Sequence, residues 1–134
     1  MKFSFAPLLR GSLALAAGVT LSQARGQAAG VDVAPADAWP MYRGTASLTG
    51  VSESKLDTSL KPLWTFKAKE GIHSTAAIAG GKVYVGCDDG HLYALDFKTG
   101  KKRWSFKTDD IVESSPLVHN DRVYFGSSDG FVYA

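Results

Sequence analysis

Two pairs of adjacent carboxylates are the residues of this chain best suited to chemistry, because neighbouring oxygens can bind a cation. The pairs are Asp88-Asp89 and Asp109-Asp110. A Ca²⁺ ion takes six to eight oxygen ligands, so either pair would need donors from elsewhere in the fold. Each pair falls in a turn or a connection, where a solvated aspartate is the ordinary alternative, and no segment matches an EF-hand loop. The pairs alone indicate no metal site.

Histidines, glutamates and one serine pair complete the candidates for catalysis or metal binding. The histidines show no ligand spacing: His73, His91 and His119. The glutamates are isolated, and nothing pairs them as acid and base: Glu53, Glu70 and Glu113. Ser114-Ser115-Pro116 lacks the strand–turn–helix context of a nucleophile elbow. The sequence therefore predicts no catalytic residue and no metal ligand.

Cys87 is the chain's single cysteine, which excludes a disulfide scaffold. It aligns with Ser127 in the repeat described next, so we expect a small structural residue at this position. No cysteine lies near the N-terminus to accept a lipid.

A segment of the chain occurs twice with an offset of 40 residues and no gap. Trp64 to Ala94 aligns with Trp104 to Ala134, and the matched residues include tryptophan, serine, tyrosine and an Asp-Gly turn. A period of about 40 residues with four short β segments is typical of a propeller blade. Because the second copy ends early, we expect a longer protein of seven or eight blades.

Short apolar segments separated by turn residues predict the strands. Gly80-Gly81 indicates a two-residue hairpin, and Gly90 and Gly100 follow polar turn residues. No gap between strands can hold a helix, which excludes alternating β and α architecture. Val83-Tyr84-Val85 and the following strand are apolar on both faces, so each small sheet should be covered on both sides. The fold class is therefore all-β, a β-propeller of four-stranded antiparallel blades.

Residues 94–104 carry a motif that resembles the tryptophan-docking motif of the pyrroloquinoline-quinone-like propeller repeats. The sequence reads A-x-D-x-x-T-G-K-x-x-W, and its positions here are Ala94, Asp96, Thr99, Gly100 and Trp104, with Trp64 repeating the tryptophan. The aspartate can accept turn N–H groups, and a tryptophan ring can bury about 200 Å² between blades. The lead-in Trp39-Pro40-x-x-Arg43-Gly44 is also similar to the start of exported members.

This resemblance implies a division of the chain. Residues 63–72 would contain an outer strand of a missing last blade with a connection, 73–107 a complete blade, and 108–134 an incomplete second blade. Residues 29–62 read as a linker and an irregular lead-in packed by Trp39 and Tyr42.

The first 28 residues have the pattern of a secretory signal peptide. Lys2 and Arg10 flank an apolar opening, an uncharged apolar segment follows at 11–21, and small-residue cleavage sites end near Ala24 or Ala28. Eleven helical residues span about 16 Å, which is too short for a membrane. The whole chain has 15 Lys and Arg against 13 Asp and Glu, so removing Lys2 and Arg10 leaves a near-neutral chain. That charge balance gives no support to nucleic-acid binding. From the signal-peptide pattern, we expect a mature chain that is periplasmic or extracellular and does not span the membrane.

The resemblance also bears on function, and it leaves alternatives open. Family members include quinone-dependent dehydrogenases, which hold pyrroloquinoline quinone and Ca²⁺ at the propeller axis, often beside adjacent cysteines. They also include a non-catalytic subunit of the outer-membrane-protein assembly machinery, which docks partners on its loops and edges. We expect an exported scaffold that binds protein partners, with no evident cofactor. The alternatives are a dehydrogenase whose catalytic blades lie beyond residue 134 and a sensor or carbohydrate-binding ectodomain.

Overall fold

The computed structural model describes residues 2–3, 38–52, 54–55 and 58–134, and all its regular elements are strands and turns. The strands are β1 (Lys2–Phe3), β2 (Ala77–Ala79), β3 (Lys82–Cys87), β4 (His91–Asp96), β5 (Lys102–Lys107), β6 (Leu117–His119), β7 (Arg122–Gly126) and β8 (Val132–Tyr133). They form two four-stranded antiparallel sheets, which confirms the predicted fold class. The described residues contain no helix that could cross a membrane.

The first sheet has the simple order β2-β3-β4-β5 and lies within residues 73–107. Gly80 and Gly81 have φ of +56° and +68°, and a turn with two such residues suits a tight hairpin between twisted strands. Its central strands are buried on both faces. On one face, Val83, Val85 and Leu95 pack with partly buried side chains from 64–68, while Tyr84 and Ala94 face the second sheet. This double cover is the arrangement that the apolar pattern predicts.

The second sheet has the order β1-β8-β7-β6. Three of its strands come from the second repeat copy, and they pack on the first sheet where Leu92 meets Val112, Phe125 and Tyr133. Residues Lys2–Phe3 pair with Val132–Tyr133 and fill the fourth place. The remainder of the predicted signal peptide at 1–28 lies outside the described residues.

The lead-in joins both sheets through its backbone. Trp39 forms an isolated antiparallel bridge with Ile78, with hydrogen bonds of 2.8 and 2.7 Å. The next residue, Pro40, accepts a 2.7 Å hydrogen bond from the Val118 N–H of β6. The Trp39 ring packs on Gly44, whereas Tyr42 is 53% exposed and does not pack as the sequence suggested.

Residues 63–67 form no strand among the described residues. The sequence analysis assigned them to the outer strand of a blade outside this chain, so that assignment stays a prediction. The segment has no ladder partner among the described residues, and β5 occupies the outer edge of the first sheet. It is held by side chains instead: Trp64 and Phe66 pack on the core of the first sheet.

Candidate functional site

The turn that opens at Asp96 is fixed by that residue's own carboxylate. Its Oδ1 accepts hydrogen bonds from the Thr99 N–H at 2.9 Å, the Thr99 hydroxyl at 2.8 Å and the Lys98 N–H at 3.1 Å. Its Oδ2 accepts two from the Arg103 guanidinium, at 2.6 and 3.2 Å. The hydrogen bonds from Arg103, followed by those from Thr99, lower the pKa of Asp96 to about 2.

This turn receives the tryptophan of the preceding segment. The Trp64 indole N–H donates a 2.8 Å hydrogen bond to the Phe97 carbonyl. Its ring lies so close to Gly100 that a Cβ there would stand 2.5 Å from ring carbons. The structure therefore brings Trp64 and Gly100 together with the Asp96 turn. Trp104 lies elsewhere: it pairs with Ala94 across the strands, is 40% exposed and has its ring centroid 5.8 Å from that of Tyr84.

Two aspartates at matched repeat positions hold their own turns. Asp89 Oδ1 accepts the His91 N–H at 3.1 Å and Oδ2 accepts the Tyr93 hydroxyl. Asp129 repeats the arrangement, with Phe131 N–H at 3.1 Å and the Tyr133 hydroxyl at 2.6 Å. Burial alone would raise the pKa of Asp89, but hydrogen bonds from Tyr93, Cys87 and His91 bring it below its ordinary value. These carboxylates stabilise the turns.

The serine that was considered as a nucleophile is also structural. Ser114 Oγ accepts the Gly126 N–H at 2.7 Å and donates to the Gly126 carbonyl at 2.8 Å. Ser74 makes the same pair of bonds to Gly86, at 2.7 and 3.1 Å. Each serine thus ties the entry of an inner strand to the strand beside it.

Three residues that the sequence analysis set aside lie together at the boundary between the sheets. His73 Nδ1 is 3.5 Å from Asp88 Oδ2 and 3.6 Å from Glu113 Oε1. One potential ligand atom from each residue lies within 4.8 Å of the others. His73 precedes β2, Asp88 follows β3, and Glu113 precedes β6.

The three residues are far apart along the chain, so their spacing did not indicate a shared site. His73 and Glu113 occupy the same position of two successive repeats, 40 residues apart, whereas the sequence analysis considered the histidines and the glutamates separately. In adjacent blades, however, equivalent positions become neighbours. The Thr75 N–H shows the same effect, because it donates a 3.0 Å hydrogen bond to Ser115 Oγ, 40 residues away. A search at the repeat offset would have found the cluster.

The two ends of the sheets differ in charge. The loop end comprises the connections and turns at 68–76, 88–90, 108–116 and 127–131; hydrogen bonds from Thr108 to Gly90 and from Ser128 to Ile111 link neighbouring parts of it. Its acidic residues are Glu70, Asp88, Asp89, Asp109, Asp110, Glu113 and Asp129, and the nearby basic residues are Lys67, Lys69 and Lys107. The opposite hairpin end carries Lys82, Lys98, Lys101, Lys102, Arg103 and Arg122 against Asp96 and Asp121. Asp88, Asp89, Asp109 and Asp110 line one polar cleft at the loop end.

Two carboxylates and the thiol near the loop end are engaged in local hydrogen bonds. The carboxylates of Asp89 and Asp129 are committed to their own turns, so they are not convergent oxygen ligands. Cys87 has no adjacent cysteine, and its side chain is fully buried against the Glu70 carbonyl. Burial raises the pKa of the Cys87 thiol, as expected for a structural residue.

The fold consists of successive four-stranded antiparallel sheets. In the first sheet, the turn at 96–100 contacts Trp64 of the preceding segment. These features define a propeller of pyrroloquinoline-quinone-like repeats. The family model described as outer membrane protein assembly factor BamB matches residues 51–134, and the chain belongs to that family.

Two individual proteins are similar to parts of this chain. The crystal structure of BamB from Moraxella catarrhalis superposes with a TM-score of 0.49 at 25% sequence identity, covering 53% of this chain and 23% of that one. A 40-residue stretch, 30% of this chain, is 50% identical to the uncharacterized protein MJECL23 of Methanocaldococcus jannaschii, of which it covers 5%. The chain thus spans less than a quarter of either relative.

Proposed function

We propose that this chain is part of an exported, non-catalytic propeller scaffold that binds partner proteins at its loop end. Membership of a family described as an outer membrane protein assembly factor supports a role in assembly, and the basic and apolar start of the sequence supports export. A partner role also suits the chemistry of the candidate residues, since the aspartates and serines at the turns bond to their own backbone.

The observation that carries the proposal is the acidic loop end on a rigid base. Asp109 and Asp110 are both exposed there, and the backbone around them is fixed by hydrogen bonds to the neighbouring turns. A fixed surface of one charge attracts segments of the opposite charge and discriminates against like charge. The expected partner therefore presents a basic segment, and its binding weakens as salt rises.

Charge reversal at the two ends tests this proposal. In the full-length protein, Asp109→Lys with Asp110→Lys should reduce binding of a Lys- and Arg-rich peptide at least tenfold, measured by fluorescence anisotropy at low salt. Lys98→Glu with Lys101→Glu at the hairpin end is the matched control, which should leave that binding within about twofold. Equal effects of both pairs, or no binding by the unmodified protein, would contradict a partner site at the loop end.

Export has its own measurement. The complete coding sequence, expressed with and without residues 1–28, should give a processed periplasmic product only when those residues are present.

The dehydrogenase alternative predicts a different result. Reconstitution of the full-length protein with pyrroloquinoline quinone and Ca²⁺ should then yield dye-linked oxidation of an alcohol or sugar. Our proposal predicts none.

A further inference from the structure

We propose that His73, Asp88 and Glu113 form a binding site for a divalent transition-metal cation that links the two sheets. The three side chains supply one imidazole nitrogen and two carboxylates, and their potential ligand atoms lie within 4.8 Å of one another. Zn²⁺ binds both donor types, with bond lengths of about 2.0–2.2 Å, so small movements of exposed side chains suffice to close around an ion.

The cluster is not satisfied by its internal ion pairs. Asp88 Oδ1 is fully buried and has no hydrogen-bond partner among the residues that the structure describes. A buried carboxylate oxygen without a donor or a cation is costly, and the sister oxygen Oδ2 lies 3.5 Å from the His73 imidazole. A cation bound at Oδ2 would offset the negative charge that this partly buried carboxylate carries.

The backbone passes close to the ligand atoms at a glycine. Gly71 passes so close that a Cβ there would stand 2.8 Å from Asp88 Oδ2 and 3.5 Å from His73 Nε2. The Asp88 N–H is held by the Gly71 carbonyl at 3.0 Å, which fixes the two segments against each other. A side chain at position 71 would displace the Asp88 carboxylate, so glycine there keeps the cluster in place.

The cluster is open to solvent and lies between the two sheets. The side chains of His73 and Glu113 are 65% and 53% exposed, whereas that of Asp88 is 23% exposed. A cation can therefore enter from solvent and retain a water in an open position. Because Glu113 belongs to the second sheet's entry and the other two ligands to the first sheet, the ion would stabilise their contact. This inference requires no partner protein, although Asp88 and Glu113 also belong to the acidic loop end.

Zn²⁺ alone is the probe. The full-length protein, freed of metal with a chelator and dialysed, should bind one Zn²⁺ at this site in competition with a chromogenic indicator, and its melting temperature should rise with Zn²⁺ concentration. The His73 ring resonances should shift during the same titration. Ca²⁺, which prefers an all-oxygen shell, should compete poorly.

Variants separate this site from incidental binding. His73→Ala and Glu113→Gln should each weaken Zn²⁺ binding at least tenfold, while circular dichroism of both variants remains that of the unmodified protein. His119→Ala removes an exposed histidine outside the cluster and should change the affinity less than twofold. Retained affinity in both ligand variants, an equal loss in His119→Ala, or the absence of micromolar binding would overturn the proposal. If His73→Ala alone unfolds, Glu113→Gln with the His73 resonances decides the outcome.

Discussion

The two copies of the repeat share their turn chemistry but differ in how far their strands are covered. In the first sheet, β3 and β4 are buried almost throughout, and Trp64 packs into the turn that follows them. In the second sheet, β6 and β7 are largely half-buried or exposed. Trp104, which begins the second copy but lies on β5 of the first sheet, is 40% exposed. Similar sequence therefore does not produce similar burial. A blade of this kind gains its buried faces from the segments before and after it.

The sharpest comparison uses two glycines at the same strand position. A Cβ at Gly86 would stand 2.3 Å from the Val112 carbonyl oxygen, whereas one at Gly126 would meet nothing closer than Ser114 at 3.7 Å. We expect Gly86→Ala to lower the free energy of unfolding by ~3 kcal/mol, because the clash is with backbone. Gly126→Ala should change it by less than about 1 kcal/mol. Urea denaturation followed by tryptophan fluorescence measures both, and equal losses would show that the sheets are not covered differently.

The docking turn is tested by glycines that share a positive φ. Gly100 has φ of +67° and lies against the Trp64 ring, while Gly130 has φ of +86° with open space around it. Alanine at either position carries about 1–2 kcal/mol of left-handed strain. Only Gly100→Ala adds a steric clash, so its loss of unfolding free energy should exceed that of Gly130→Ala by ~1 kcal/mol or more. If the two variants melt alike, Trp64 does not dock as described.

Replacing either tryptophan with phenylalanine should change the free energy of unfolding by less than alanine at Gly86 or Gly100 does. Trp64→Phe removes the indole N–H that reaches the Phe97 carbonyl, and we expect a loss of ~1 kcal/mol in the free energy of unfolding. Trp104→Phe keeps a ring beside Tyr84 and should cost less than about 0.5 kcal/mol in the chain described. Differential scanning fluorimetry resolves the order. A larger loss for Trp104 would reverse the comparison.

The smallest effect is a pH dependence at the docking turn. The pKa of Asp96 is about 2 in the folded chain, against an ordinary value near 4 in an unfolded one, so the carboxylate contributes stability that is present above about pH 4. That contribution falls as the pH drops from about 4 to 2. Asp96→Asn should therefore flatten the stability profile in that window. Urea denaturation of both proteins across that window measures the profile, and an unchanged slope in Asp96→Asn would contradict this contribution.

The sequence was informative wherever the physics is local or periodic. The Gly80-Gly81 hairpin, the Asp96 turn and the two-sided burial of β3 follow from turn chemistry and from apolar residues on both faces. Contacts between equivalent positions of successive repeats were missed, because their proximity depends on how one sheet packs on the next. His73 and Glu113 are the clearest case.

The strand predicted at 63–67 stays a prediction, because its partners were assigned to a blade outside this chain. An apolar alternating segment with aromatic residues has the composition of a strand, but a strand also needs a free backbone edge beside it. That edge is a property of the assembled chain, and here the segment packs through Trp64 and Phe66 without one.

The bridge made by Trp39 and Pro40 has a practical consequence for anyone shortening this protein. Both contacts run through main-chain atoms, one to Ile78 and one to Val118, so they tolerate exchange of side chains but not loss of the peptide itself. A tag or fusion partner joined upstream of residue 38 leaves these backbone hydrogen bonds intact. Trimming past residue 40 releases the inner edges of both sheets at once.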